Sequence, residues 1–289
     1  MIDQENLKQS ERWTEVIKPR SGWLDINLRE VWRYRDLLML LVRRDFVAVY
    51  KQTILGALWI FIQPLLTSLT YVIIFSKVAH LSSDGLPPIL FYLAGVTCWN
   101  YFSSCLNTTA STFITNAQIF GKVYFPRLIM PLSVSVSNLV KFLIQFGLLI
   151  IMMIWYGLKG MHIAVNISLL ILPLLLLIMA GLSLGLGIIV SSLTTKYRDL
   201  SYLITFSVQL LMYASPVVYP LSSVSAGKLH LLLVANPMSG PIEAFKYALL
   251  GKGYFSWNLL GYDFAFMIVV LVIGILIFNR VEKTFMDTV

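Results

Sequence analysis

Two kinds of residue pattern in this chain are suited to handling other molecules. The stretch FGKVYFPRLIMP, Phe120 to Pro131, sets Phe120, Lys122, Tyr124, Phe125 and Arg127 around Pro126 in one short connection between apolar runs. Rings beside basic groups are the composition of binding hot spots, where rings fill pockets and Lys or Arg pairs with an acidic rim. The other pattern is a polar and aromatic stripe. Trp59, Gln63, Thr67 and Thr70 fall within roughly 80° of one another on a helical wheel. Tyr202, Thr205, Phe206, Gln209 and Tyr213 form a similar stripe further along. Such walls suit sugars, because aromatic faces meet C–H-rich ring faces while amides and hydroxyls replace water at the sugar hydroxyls. The same residues can instead bond neighbouring helices together or mark the membrane interface.

The elements that must position them are membrane spans. A chain that is 58% hydrophobic and 12% charged, with mean hydropathy +0.79, cannot keep its apolar surface from water as a globular domain. The fold expected is all-α and polytopic. Six runs, Ile54–Ser76, Pro88–Phe113, Pro131–Tyr156, Val165–Val190, Leu200–Tyr219 and Leu259–Phe278, are long enough to cross about 30 Å of hydrocarbon as helices. Residues 1–25 are polar, 26–53 form an amphipathic helix in the interface, 54–280 form the six-span domain and 281–289 a tail. The amphipathic reading rests on Val31, Tyr34, Leu38, Leu41 and Val42 recurring at helical spacing. Within the domain, 114–130 is the loop of the opening stretch, and 220–257 breaks at Asn236-Pro237 and Gly240-Pro241 into short re-entrant or interfacial helices.

Charge orients these spans. Most of the 22 lysines and arginines fall in the N-terminal segment, the 114–130 and 191–199 loops and the tail, whereas the opposite connections hold Lys77, Lys159, Lys228, Lys246 and Lys252. The positive-inside rule then places both termini in the cytoplasm. It also accounts for the net charge of +8 without a nucleic-acid partner. Lys141 alone lies inside a span.

No span carries an Asp or Glu in its interior, as an ion-coupled carrier would, and Asp45, Asp199 and Asp263 stand unpaired near span ends. His80, His162 and His230 are scattered over three connections, so no metal site is expected. Cys98 and Cys105, seven residues apart on one helix, are too far apart for a disulfide at about 10 Å along the axis. A GxxxxGK[ST] phosphate loop is absent too. If this protein moves cargo uphill, another chain supplies the energy. A membrane-embedded enzyme of glycan or lipid synthesis would need a positioned nucleophile, an acid–base pair or a metal. A passive channel would lack a contact with an ATPase.

RDLLMLLVRRDFVAVYKQTILGALWIFIQP (Arg35–Pro64), FGKVYFPRLIMP, TTKYRDL (Thr194–Leu200), MYASPVVYP (Met212–Pro220) and the final VEKTFMDTV together resemble the permease subunits of bacterial polysaccharide ABC exporters, the O-antigen (Wzm-like) and teichoic-acid (TagG-like) branch. The resemblance implies a homodimer in the bacterial cytoplasmic (inner) membrane, joined to two copies of a separate ATPase that binds ATP and Mg, exporting a lipid-linked polysaccharide. O-antigen is the first reading of the cargo, with teichoic acid or capsule as the alternative. No cofactor and no catalysis are expected on this chain itself. The 114–130 loop becomes a coupling helix in this light. Phe120, Tyr124 and Phe125 would anchor in the ATPase, Lys122 and Arg127 would pair with its rim, Pro126 would end the helix, and Arg43, Arg44 and Asp45 would form a second contact. The stripes become a glycan conduit. Lys141, near 15 Å deep at 1.5 Å per residue, either snorkels to the interface or meets an anionic group of the substrate. Arg29, Arg33 and Arg35 offer a second place for a lipid pyrophosphate, which anionic membrane lipids explain equally well. Gly181, Gly185 and Gly187 read as close helix packing.

Overall fold

The computed structural model describes residues 28–51, 56–120, 125–161, 167–194, 197, 199–225 and 227–284. Their regular structure is entirely helical: α1 (Leu28–Arg33), α2 (Arg35–Tyr50), α3 (Trp59–Tyr71), α4 (Pro88–Ala110), α5 (Ile129–Leu158), α6 (Leu172–Thr194), α7 (Leu200–Tyr213), α8 (Lys228–Ala235), α9 (Ser239–Leu250) and α10 (Trp257–Thr284), with a few short turns between them. Among the described residues five stretches, Trp59–Val78, Pro88–Ala110, Ile129–Leu158, Ser168–Thr194 and Trp257–Arg280, are long and apolar enough to cross a membrane.

The expected span Leu200–Tyr219 departs from its sequence reading. Its helix, α7, has 14 residues and so covers about 21 Å, short of the hydrocarbon thickness. Pro216 is the cause, since it lacks the N–H that would bond to the Met212 carbonyl and its ring disfavours helical geometry at Ser215. Beyond α7 the chain continues as a buried irregular stretch, Ser215 to Val218, laid against α4. Gly95 makes that approach possible: a methyl group there would meet the Val217 carbonyl oxygen at 3.1 Å.

Irregular backbone buried away from water must find partners inside the protein. Two side chains from the segment before the last span supply them. The Asn236 amide donates to the Ala214 carbonyl and to Ser215 Oγ, each at 2.8 Å. The Lys246 ammonium donates to the Pro216 carbonyl. Lys246 is 1% exposed, lies 3.5 Å from Glu243 Oε1 and stands over the Phe91 ring at 3.6 Å. Glu243 Oε2 in turn accepts the Tyr254 N–H at 3.0 Å. Lys246 is therefore not the exposed lysine of an outer connection that the charge count assumed. It is a buried ion-pair partner that holds the broken span.

The two helices of 220–257 differ in burial. In α9 every residue but Tyr247 is buried, and the helix packs on α4, α6 and α10 as part of the bundle. Gly251, at φ 68°, ends it in left-handed geometry with its N–H on the Tyr247 carbonyl. By contrast α8 leaves Leu229, Leu231 and Leu232 exposed and lies at the surface.

α4 is the centre of the bundle, flanked by α3, α5, α6, α7 and α9. Small residues bring the other backbones close. A methyl on Gly187 would collide with Thr109 of α4, and Gly274 of α10 faces the Gly185 carbonyl with only 2.9 Å of room for one. The glycines of α6 thus pack helices, as small residues do where lipid removes any hydrophobic drive for association.

Lys246→Met should lower the stability of the purified chain by about 3–5 kcal/mol, because it strands Glu243 as a buried unpaired charge and bares the Pro216 carbonyl. Adding Glu243→Gln should recover part of that loss. Thermal unfolding in detergent checks both.

Candidate functional site

The two stripes occupy exposed faces of α3 and α7, two helices that both pack on α4. Trp59, Gln63 and Thr70 are exposed on the first, with Thr67 half-buried; Tyr202, Thr205, Phe206, Gln209 and Tyr213 are exposed on the second, Tyr202 to 81%. The C-terminal ends of the helices meet where the Tyr71 hydroxyl donates to Met212 Sδ at 3.3 Å. Thr67, Thr70 and Thr205 donate to carbonyls four residues back in their own helices. Among the described residues none of the nine stripe side chains bonds to a neighbouring helix, so within one subunit they do not glue spans together. Pro64, inside α3, removes one rung of that helix, and the π-turn Val72–Val78 widens its C-terminal end.

A second cluster forms at the opposite end of the bundle. Leu41 of α2, Phe113 of the short turn after α4, Phe125 of the 114–130 loop, Ile129 and Met130 of α5, Ile188 of α6 and Phe278 of α10 share one apolar core, with Val31, Tyr34, Leu37 and Leu38 packed on it. The loop and the amphipathic helix are thereby one unit. Trp32, Met39 and Leu40 remain exposed on the other side of α1 and α2, which gives this helix a second apolar face for the membrane interface.

The coupling residues divide. Lys122 and Tyr124 lie outside the described residues, and Phe120 ends the short helix Ala117–Phe120. Phe125, expected as an anchor for another chain, is 5% exposed and belongs to this core. The Pro126 carbonyl accepts the Ile129 N–H in the turn into α5; its expected role in ending the loop helix depends on residues 121–124, which lie outside the described residues. Arg127 is half-buried, Arg43 is exposed, and Arg44 and Asp45 pair at 2.8 Å.

Lys141 is brought to Arg44 and Asp45. All three line a cleft of about 300 Å³ bounded by α2, the end of α4 and its following turns, and the start of α5. The Lys141 ammonium donates to Asn138 Oδ1 at 3.1 Å. Gln145, one turn further along α5, accepts from Asn100 of α4 at 3.4 Å. Arg29, Arg33 and Arg35 are exposed on α1 and the start of α2 and are not part of this lining; Arg35 sits 3.9 Å from Asp36 and stacks over Trp32.

Asp263 overturns the expectation that the spans hold no interior carboxylate. It lies in the second turn of α10, fully buried, beside Gly240, where any side chain would strike Oδ2. Neither carboxyl oxygen has a hydrogen-bond partner among the described residues. Sequence reasoning missed Asn236, Glu243 and Lys246 as well. The one local signal was a Glu and a Lys three residues apart in an otherwise apolar helix.

Residues 36–250 match the ABC-2 type transporter family. The chain is 32% identical over 221 residues to the O-antigen export system permease protein RfbA of Myxococcus xanthus, covering 76% of this chain and 82% of that protein. It is 26% identical over 253 residues to the protein of the same name from Klebsiella pneumoniae, covering 87% and 94%. The polysialic acid transport protein KpsM of Escherichia coli is 26% identical over 237 residues, covering 81% and 89%.

Phe125→Ala should remove a core ring and destabilise the purified chain by about 3–5 kcal/mol with no partner present. Thermal unfolding of the chain alone reads this, and an unchanged transition would return Phe125 to the role of a surface anchor.

Proposed function

Since the chain belongs to the ABC-2 type transporter family, we propose that it exports a lipid-linked polysaccharide of O-antigen type across the bacterial inner membrane. It is the multi-pass permease subunit of a polysaccharide ABC exporter, a transport component and not an enzyme, and it works with an ATPase subunit. In this reading two copies of the chain join two copies of the ATPase, which alone binds ATP and Mg. Both termini lie in the cytoplasm, with α7 and the buried stretch after it making one of six crossings; the distribution of lysine and arginine supports this topology.

The observation that carries the reading is the exposure of both stripes. Eight of the nine polar or aromatic side chains on α3 and α7 are exposed and Thr67 is half-buried, and among the described residues none bonds to a neighbouring helix. Amides and hydroxyls are a poor fit to lipid, and together with aromatic rings they are a good fit to a glycan; a second copy of the chain would turn the two faces into opposite walls of a passage. The unit formed by α2 and the 114–130 loop is then the surface for the ATPase, with Lys122, Tyr124, Arg127 and Arg43 as its contacts. Capsular polysaccharide is the second reading of the cargo, supported by the similarity to a polysialic acid transport protein.

Deleting the gene in its host should abolish the surface O-antigen ladder while lipid-linked glycan accumulates inside; loss of capsule with an intact ladder would favour the second reading. Gln63→Leu and Tyr213→Ala should lower surface glycan severalfold at normal levels of assembled complex. Normal export by both variants would reduce the stripes to surface packing.

A further inference from the structure

Three charged side chains line the cleft between α2 and α5, and their pairing is lopsided. Arg44 holds Asp45, its neighbour in sequence, at 2.8 and 3.0 Å, with both bonds on the single oxygen Oδ1. The Lys141 ammonium donates to the neutral Asn138 oxygen at 3.1 Å, and among the described residues no carboxylate lies within ion-pair distance of it. Asp45 nevertheless shares its cleft, and its charge reaches the ammonium across it. We propose that Asp45 exchanges partners when the cleft narrows, leaving Arg44 for Lys141, and that the new pair latches α2 onto α5.

The pair that stands is the weaker of the two. Adjacent residues on a helix point about 100° apart, so Arg44 must fold back along its own helix to reach Asp45, and both side chains keep contact with water, at 42% and 31% exposure. Solvent screens such a pair and the ordering of a long side chain offsets it, so its contribution is small. Lys141 is different. It is half-buried in a span, where less water remains to screen an opposite charge, and the fold already bears the cost of holding its ammonium there. A carboxylate brought to Lys141 therefore gains more than it gives up at Arg44, which is exposed and stays solvated when released.

The walls leave space for the movement. α2 is pinned to α5 at one end of the cleft, where Leu41 shares a core with Ile129 and Met130. Past that point α2 presents Ala48, and α5 presents Ser133 and Ser137, small side chains around an open volume of about 300 Å³. This space lets α2 swing about its Leu41 end and carry Asp45 towards Lys141. Asn138 marks the resting place of the ammonium: it is 3% exposed and its amide is fixed on the Val134 carbonyl at 3.0 Å, so it holds Lys141 in the cleft until the carboxylate arrives. That an ATPase drives the narrowing rests on the export reading; the exchange of partners does not.

Cys98 and Cys105, the two cysteines of the chain, are buried, so spin labels can be set at Val47→Cys of α2 and Leu143→Cys of α5, both exposed and outside the cleft lining. The permease is purified with its ATPase in lipid nanodiscs, labelled chains are diluted with unlabelled ones, and pulsed electron paramagnetic resonance reads the distance between the two helices. Arg44→Gln, which releases Asp45, should shift the distribution to shorter distances without nucleotide. Asp45→Asn should hold it at the longer distance in every nucleotide state. Lys141→Asp should do the same, and adding Asp45→Lys to it should restore the shorter distance, because the pair is rebuilt with its charges reversed. Equal distributions in Arg44→Gln and Asp45→Asn overturn the proposal, as does an assembled charge-reversed pair that matches Lys141→Asp alone. Should Lys141→Asp fail to assemble, the contrast between Arg44→Gln and Asp45→Asn decides. A shift of the parent towards the shorter distance on adding ATP supports a latch driven by the ATPase; the variant contrast without that shift supports a latch that ATP does not drive. Surface glycan is read separately in the deletion strain, so loss of this proposal would leave the export reading standing.

Discussion

The bundle depends on keeping every backbone polar group satisfied where a span breaks. A continuous helix solves this locally, since each carbonyl meets an N–H four residues on. Pro216 makes that impossible near the end of α7, and the Ala214 and Pro216 carbonyls would be left bare against an apolar core. Their donors, Asn236 and Lys246, come from later in the chain. Supplying them has consequences that spread. Lys246 must be buried, so Glu243 is buried with it; α9 must enter the bundle to carry both; and Gly95 must be bare for the irregular stretch to approach α4. One proline thus organises much of the 220–257 segment.

Packing elsewhere follows a different rule. Helices surrounded by lipid gain little by hiding apolar surface, so contact area and close backbone approach decide which ones associate. The α6 glycines answer this by meeting Met267, the Gly274 region and Thr109. Aromatic rings answer it between α4, α5 and α9, where Tyr101, Phe142, Phe146 and Phe245 form an edge-and-stack cluster. What these contacts leave over is informative. α3 and α7 touch α4 by one side each and turn their polar stripes outward, so the faces with chemistry are those the fold does not use.

The parts legible in the sequence are those with a local cause. Five of the six apolar runs, the helical spacing of Val31, Tyr34, Leu38 and Leu41, and the glycine spacing of α6 each depend on neighbours a turn or two away, and each appears in the fold near its expected place. The early end of α7 was legible in principle from Pro216 but was masked by the apolar residues around it. Lys246 and Asp263 were misjudged because burial depends on contacts distant in sequence, and a lysine destined for a broken span reads like one destined for water. Phe125 shows the same limit from the other side. A ring beside basic residues has the composition of a binding hot spot and also that of a small core, and only the fold, by setting Leu41 and Phe278 around it, distinguishes the two.

The core shared by α2, the 114–130 loop and the start of α5 bears on how the parts can act together. Phe125 ties the 114–130 loop to Leu41 of α2 and to Ile129 at the start of α5. Arg44 is the next turn of α2 beyond Leu41, and Lys141 lies three turns into α5 beyond Ile129, so both walls of the polar cleft are rigid continuations of helices gripped by that core. Close-packed interiors do not deform smoothly; they transmit displacement to the elements they hold. A push on the loop from an ATPase would therefore change the angle between α2 and α5 and with it the width of the cleft, while α6 and α10, reached through Ile188 and Phe278, carry the same displacement into the bundle. Coupling of this kind needs no continuous wire of polar contacts, only a common core at which the loop, the cleft and the spans meet.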